Sequence, residues 1–350
     1  MVIELLRGVS NLLGLMEKLK TLFDPQLIEN ASPSESMDHY ERRLGYICRE
    51  MLKYVLVIGD KRYDMLEIEV YLTAPKHGHP DPYCHGHPLQ KKPGAWFFHH
   101  VAMSKGFRGG SRKGVDITLG NKEKDSAGGV LIRAILDQDS GKIIEGPSLV
   151  VDEILSTLRY KSIKELVETR WKERTGWCWD IESGFYLEPR HIDVENNNGK
   201  KQRRPTKRQK ILDYNGDEHA VHASSRVGLG LTNREPSIET RLLFVGRPYR
   251  FVVKPWLLKK GRVWTIFGML EESMSTAEIA RLTGAKPSFI QRCKEEYDAG
   301  QKEAIITIRK CLKDKDILAG GADWKVRVMS AIRWWEQQQK QGICVEIPKL

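Results

Sequence analysis

Apolar and polar positions along the chain follow two periods, and the switches between them outline the elements. Residues 2–23 carry Val2, Ile3, Leu5, Leu6, Leu12, Leu13 and Leu15, interrupted by Glu4, Arg7, Glu17 and Lys18. This predicts an amphipathic helix rather than a signal peptide, since no small-residue cleavage site follows. Core docking accounts for it; a membrane-surface or organelle-targeting role is the second reading. Residues 25–36 read as a polar linker. Met37 to Met51 returns to helical spacing, with Tyr40, Leu44, Ile47, Cys48 and Met51 on one stripe. Tyr54–Ile58 reads as a strand, Gly59–Arg62 as a turn and Met65–Leu72 as the returning strand. Further strand-like runs are Ala95–His99, Val115–Leu119, Val130–Ile135, Val227–Leu231, Leu242–Val245 and Tyr249–Val253; Pro147–Leu158 and Ser162–Trp171 read as helices. From Glu271 onward the pattern is helical. Ser275 and Glu278 have capping-box spacing, and Gly284 and Pro287 divide helices at Thr276–Thr283 and Ser288–Tyr297. That is the outline of a helix-turn-helix, with an ordinary helical hairpin the preferred reading.

Charge changes this picture at one place. The 350 residues include 57 Lys+Arg and 46 Asp+Glu, a net +11, which suits an anionic partner. Asn196 to Lys210 has no apolar residue and reads as a disordered insertion. Its Lys200, Lys201, Arg203, Arg204, Lys207, Arg208 and Lys210 supply seven of the +11, leaving +4 for the rest. Two dense basic clusters in a linker predict nuclear localisation or phosphate binding. Cys48, Cys84, Cys178, Cys293, Cys311 and Cys344 are scattered, which fits a reducing compartment. No apolar run approaches the roughly 18 residues that a membrane span needs.

Candidate chemistry is concentrated on a few strands. In Leu66–Leu72, alternation puts Ile68 and Val70 on one face and Glu67, Glu69 and Tyr71 on the other. Glu69 could hold a water beside a flat group stacked on Tyr71; a half-exposed strand with a solvated carboxylate has the same pattern. Gly94–His100 places Phe97 and His99 opposite Trp96, Phe98 and His100. Arg133 is the lone charge in an apolar strand, and such a residue needs a partner, for which Glu69 is the natural candidate. The histidines and cysteine of His77–His87 have zinc-ligand chemistry but no closed-site spacing, so no metal or other cofactor is expected.

In this order, the pieces resemble the alkyladenine (methylpurine) DNA glycosylase family. The resemblance runs through Glu67-Ile-Glu-Val-Tyr-Leu72, Cys84-His85, Pro93–His99, Gly114–Thr118, Val130–Ile135, Glu145–Ser148, Ser225–Gly230 and Arg247–Phe251, over roughly residues 50–258. It implies a mixed α+β fold around a curved antiparallel sheet. The implied domain spans 37–268, after an N-terminal helix and linker at 1–36. It is interrupted by the basic insertion at 187–220 and followed by a helical extension at 269–350. It implies hydrolysis of the N-glycosidic bond of a flipped, damaged purine in double-stranded DNA; the basic clusters predict a nuclear protein, and a monomer that does not enter membranes is expected. Glu69 would be the general base and Arg133 would help hold the water. Tyr71 and His99 would sandwich the base, and His85 would touch its edge or sugar.

The departures bear on substrate. His99 stands where the family has tyrosine, and Asp116 where it has an asparagine that helps exclude guanine; a carboxylate there could accept from a base amino group. The family's lysine after Gly-Pro-Ser is Leu149 here. The longer loop after His100 would supply the intercalating wedge, Phe107 or Met103, with Lys105, Arg108, Arg112 and Lys113 on phosphates. A merely solvated loop reads the same way. Two other functions share the pattern: a non-catalytic reader of modified or extruded bases, and a related enzyme acting on RNA.

Overall fold

A computed structural model describes residues 17–24, 36–101, 104, 106–172, 176–190, 220–232, 236–313 and 316–347. Most of the expected N-terminal helix, the 25–35 linker, Met103, Lys105 and the basic clusters of 200–210 lie outside the described residues. Residues 17–22 are helical, and Leu19, Leu22 and Phe23 are buried in the main core.

One antiparallel sheet organises the chain, in the order β4 (Trp96–Phe98), β5 (Val115–Thr118), β6 (Ala127–Asp137), β2 (Lys61–Ala74), β1 (Tyr54–Ile58), β8 (Phe185–Pro189). The 14-residue β2 is central. Along one edge it pairs with β6, and along the other with β1, β10 (Arg250–Val252) and β3 (His79–Pro80) in turn. β7 (Ile143–Glu145) pairs with β6, and β9 (His222–Ser224) with β10. The β1–β2 hairpin closes over Gly59-Asp60, with Gly59 at φ 63°, a left-handed position that glycine takes without strain.

Ile68, Val70, Ile117, Val130, Ile132, Trp96 and Phe98 build the apolar layer, with Tyr40, Leu44, Ile47, Cys48 and Met51 of α1 (Ser36–Met51) as the helical spacing predicts. Val150, Val151 and Ile154 of α2 (Pro147–Leu158) and Leu166 of α3 (Ile163–Arg170) complete it.

A second core joins α4 (Ile238–Gly246), α5 (Arg262–Glu271), α6 (Thr276–Thr283), α7 (Pro287–Lys302), α8 (Ala304–Lys313) and α9 (Ala322–Lys340). It reaches back to Leu231, Leu242 and Val245, so the helical region starts upstream of residue 269. Buried Arg247 ties the two cores: its guanidinium meets Glu41 of α1 at 2.5 Å and Glu336 of α9 at 3.1 Å. No helix among the described residues is long and apolar enough to cross a membrane.

Three local readings are corrected. Leu242–Val245 is helical, because Ser237 caps α4 and Phe244 and Leu242 are buried in different cores, which erases the amphipathic signal. Val227–Leu231 is a loop, with Gly228 at φ 84°. Leu187–Pro189, expected within the insertion, instead pair with β1.

Candidate active site

The centre of β2 is irregular. Its register with β6 shifts on both sides of Glu67, so Arg133 lies opposite no β2 residue. Such bulges re-aim side chains. Here they bring Glu67, Glu69 and Arg133 together on the face away from the apolar layer. Arg133 donates from Nε to Glu67 Oε1 at 2.8 Å and from Nη1 to Glu69 Oε2 at 3.2 Å. The partner expected for the lone strand arginine is therefore present, with a second carboxylate beside it.

Glu69 is fully buried, which removes the solvated-carboxylate reading. Tyr71 donates its hydroxyl to Glu69 Oε2 at 2.8 Å, and the Val227 N–H donates to Oε1 at 2.6 Å. An ionised carboxylate offers about four acceptor positions. Three are filled, two on Oε2 and one on Oε1. The open position is the second lone pair of Oε1, next to the Val227 backbone. Burial, and then the Glu69 charge, hold the Tyr71 phenol well above its ordinary pKa, so Tyr71 remains a donor.

The charges around this carboxylate are balanced. Glu67 also accepts from Arg250 Nε at 2.7 Å, and Arg250 Nη1 reaches Ser224 Oγ and Thr265 Oγ1 at 3.0 and 2.9 Å. Burial raises the Glu67 pKa, but Arg250 and Arg133 outweigh it and hold Glu67 below the ordinary carboxylate range. Behind Tyr71 lies Arg226, its guanidinium 4.4 Å from the ring centroid. It is completely buried and bidentate to Asp81, at 2.6 and 3.1 Å. Glu67, Glu69 and Asp81 thus face Arg133, Arg226 and Arg250. Unpaired, any of these groups would be very costly at this depth. The roles of Glu67, Asp81, Arg226, Arg250 and Val227 were not read from the sequence. A usable signal was there: arginines set among apolar and glycine residues at Ser225–Gly230 and Arg247–Phe251.

Two strands away on the same face lies a second cluster. Register aligns Phe97, Asp116, Leu131, Glu69 and Arg250 across the sheet. With adjacent strands about 4.8 Å apart, the Asp116 and Glu69 backbones are roughly 10 Å apart. In the neighbouring row Gly129 separates Tyr71 from Thr118, so no side chain stands between them. His99 Nε2 lies 2.9 Å from Asp116 Oδ1, and Gln90 Nε2 donates to Oδ2 at 3.0 Å. Asp116 is 2% exposed with both oxygens engaged, so its expected contact with a base amino group is replaced by support of His99. His85 meets His99 edge-on, with ring centroids 4.5 Å apart. Burial, and next the neighbouring His99, lower the His85 pKa to about 4, so it is neutral near pH 7.

Two other loop histidines, His79 and His87, are structural. His79 is enclosed between the Leu72 carbonyl at 2.8 Å and the Tyr249 hydroxyl at 2.7 Å. His87 caps the turn at Pro88–Lys91. Among the described residues, no group of three or more His, Cys, Asp or Glu side chains is arranged to hold a metal. Phe107 is turned inward onto His100, with centroids 4.5 Å apart, so its ring is not presented as a free wedge. Among the described residues of this loop, Val101 is 53% exposed and presents an apolar side chain outward. Arg108 is held by the His100 carbonyl, and Lys113 pairs with Asp152. Arg108 and Arg112 line a hollow of about 590 Å³ with Val101 and Gly109–Ser111. A cavity of about 620 Å³ lies elsewhere, lined by Arg49, Asp64, Leu66, Arg190 and Lys254, and takes no part in the Glu69 cluster.

The chain is similar to an uncharacterized protein of Acanthamoeba polyphaga mimivirus, 33% identical over 125 residues, or 33% of this chain. It spans 56% of that relative's length. No family model matches the chain, and no solved structure matches it.

Proposed function

We propose that the chain is a monofunctional DNA N-glycosylase. On this reading it flips a damaged purine from a duplex and hydrolyses its glycosidic bond with water activated by Glu69. The observation that carries the reading is the buried Glu69 carboxylate, held by Tyr71, Arg133 and the Val227 N–H with one acceptor position left. Such a carboxylate can take a proton from water and stabilise the positive charge that grows on the sugar as the base departs. Arg133 fixes the carboxylate in place. Tyr71 offers a ring to a base that has lost its stacking, and the His99 side of the same face supplies the opposing surface. The arginines beside Val101 suit phosphates, and Val101 suits the gap left by the flipped nucleotide. The basic clusters of 200–210 would direct the protein to the nucleus; a reporter carrying 196–210 that remains cytoplasmic would contradict that.

The test is base release from duplexes bearing single alkylated or deaminated purines, with matched RNA substrates. Release from DNA supports the reading. Release confined to RNA makes it an RNA enzyme. Tight lesion-dependent binding without release makes it a reader of extruded bases.

A further inference from the structure

The helices α6 and α7 take no part in the chemistry above. α6 ends at Thr283 and α7 starts at Pro287, so three residues turn the chain. Gly284 makes the corner at φ 64°, and a short turn with glycine is the connection a helix-turn-helix uses. Ile279 and Leu282 of α6, Ala285 of the turn, and Ile290 and Cys293 of α7 are all buried in the second core. The apolar contact thus runs through the turn and holds the two helices as one unit. The rear of α7 is fixed as well. Tyr297 donates its hydroxyl to Glu271 of α5 at 2.7 Å, and its carbonyl accepts from Ser330 of α9 at 2.7 Å. Gly300 admits α9 so closely that a Cβ there would stand 2.3 Å from the Arg327 carbonyl oxygen.

The front of α7 is open. Ser288, Gln291, Arg292 and Glu295 are exposed and, at spacings of three and four, form one stripe along its leading half. Arg292 is loosely held, 3.9 Å from Asp323, with side chains 58% and 49% exposed. Gln291 donates to Glu295 at 3.2 Å. Charge is segregated along the pair: residues 279–294 carry Arg281, Lys286, Arg292 and Lys294 and no acid, and Glu295, Glu296 and Asp298 follow. Glu296 is paired with Arg327 and Asp298 with Lys294, both at 2.5 Å. An ordinary hairpin accounts for the buried contacts but not for this polarity of an exposed face.

We propose that α6 and α7 form a separate DNA-binding surface, with α7 entering the major groove of undamaged duplex DNA and reading its sequence. The proposal does not rest on the glycosylase reading. The major groove of B-form DNA admits an α-helix, whose leading residues reach the base edges while the preceding helix crosses the backbone. The stripe has the side chains for this. An arginine can grip guanine at O6 and N7, a glutamine can grip adenine at N6 and N7, and a serine can bond to either. Lys286, exposed in the turn, meets a phosphate and sets the register. The basic leading half faces the groove, and the acids that follow are held back against α9 and Lys294. Duplex RNA is excluded by its deep, narrow major groove. This surface sets where on a duplex the chain settles, whether or not a base is damaged.

The experiment starts with the full chain and a randomised pool of undamaged duplexes about two helical turns long. Bound duplexes are recovered and sequenced, and a preferred sequence should be enriched. Fluorescence anisotropy then compares that duplex with a scrambled one. Arg292→Ala and Gln291→Ala should each weaken binding to the preferred duplex about tenfold or more while leaving the scrambled one within about threefold, as loss of a base contact does. Lys286→Ala should weaken both alike and lower the slope of affinity against salt by about one ion. The three side chains are exposed, and an unchanged thermal unfolding midpoint controls for folding. No enriched sequence, or losses for Arg292→Ala and Gln291→Ala that are equal on the two duplexes, would overturn the proposal. Equal binding of the preferred sequence as duplex RNA would also overturn it. Base release by way of Glu69 is a separate readout, so either reading can fail while the other stands.

Discussion

Cutting the buried Asp81–Arg226 pair tests the structural half of the account. Both side chains have no solvent exposure, and the contact is bidentate. Arg226 also donates to the Val70 and Phe244 carbonyls, each at 3.1 Å. Asp81→Asn would leave a buried guanidinium with no counter-charge, and Arg226→Met a buried carboxylate with no partner. Each should cost about 3–5 kcal/mol, the usual range for breaking a buried pair. The double variant removes both charges, so its cost should come mainly from the two stranded carbonyls, at about 1–2 kcal/mol each. The singles sum to about 6–10 kcal/mol and the double to about 2–4 kcal/mol on these figures. A coupling of at least about 2 kcal/mol should therefore emerge from the cycle. Urea unfolding followed by tryptophan fluorescence measures it, on the transition that includes the sheet. Additive losses, or a loss under about 1 kcal/mol for Asp81→Asn, would refute the argument that charge pairing holds Arg226 behind Tyr71.

Further outcomes follow from other buried groups. Gly94 has φ 81°, and a Cβ there would stand 2.1 Å from the Trp179 ring; Gly94→Ala should cost more than about 1 kcal/mol in thermal or urea unfolding, and an unchanged midpoint would contradict it. Glu67→Gln leaves Arg133 and Arg250 sharing a neutral amide, and should lower stability by about 3 kcal/mol in the same assay; an effect near zero would show the network to be less desolvated than drawn. His79 is fully buried, and burial depresses its pKa to about 4. Above pH 6.5 it is neutral whether folded or unfolded. As pH falls, the unfolded chain takes the proton first, so stability is lost between about pH 6.5 and 4. From pH 7 to 5 that amounts to about 2 kcal/mol. His79→Gln should flatten that part of the pH dependence, and an unchanged slope would rule His79 out as its source.

Much of the sheet was legible in the sequence because its strands are either alternating or uniformly apolar. Met65–Leu72 and Val130–Ile135 fall within β2 and β6, and α6 has the limits set by Ser275 and Gly284. β8 and β9 escaped because Phe185–Pro189 ends in proline and His222–Ser224 is short and polar. α5 escaped because Trp264 through Leu270 are all buried, leaving no polar face to reveal a helical period. At the candidate site, Glu69, Tyr71 and Arg133 share a strand-level pattern and could be grouped. Arg226 and Asp81 are 145 residues apart and meet only through the tertiary fold. The bulges around Glu67 leave no local mark. Asp116 was visible as a carboxylate, but its use, holding His99 and Gln90 rather than a ligand, depends on depth that only packing supplies.

The most direct test of the central claim is single-turnover base release by wild type and Glu69→Gln from the same lesion-bearing duplex, with binding measured in parallel. Glutamine keeps the shape of the carboxylate but accepts hydrogen bonds at one oxygen only and cannot take a proton from water. The account predicts at least about 10³-fold slower release with duplex affinity within a few-fold of wild type. Equal release rates for the two proteins, or no release by wild type from any damaged purine, would contradict it.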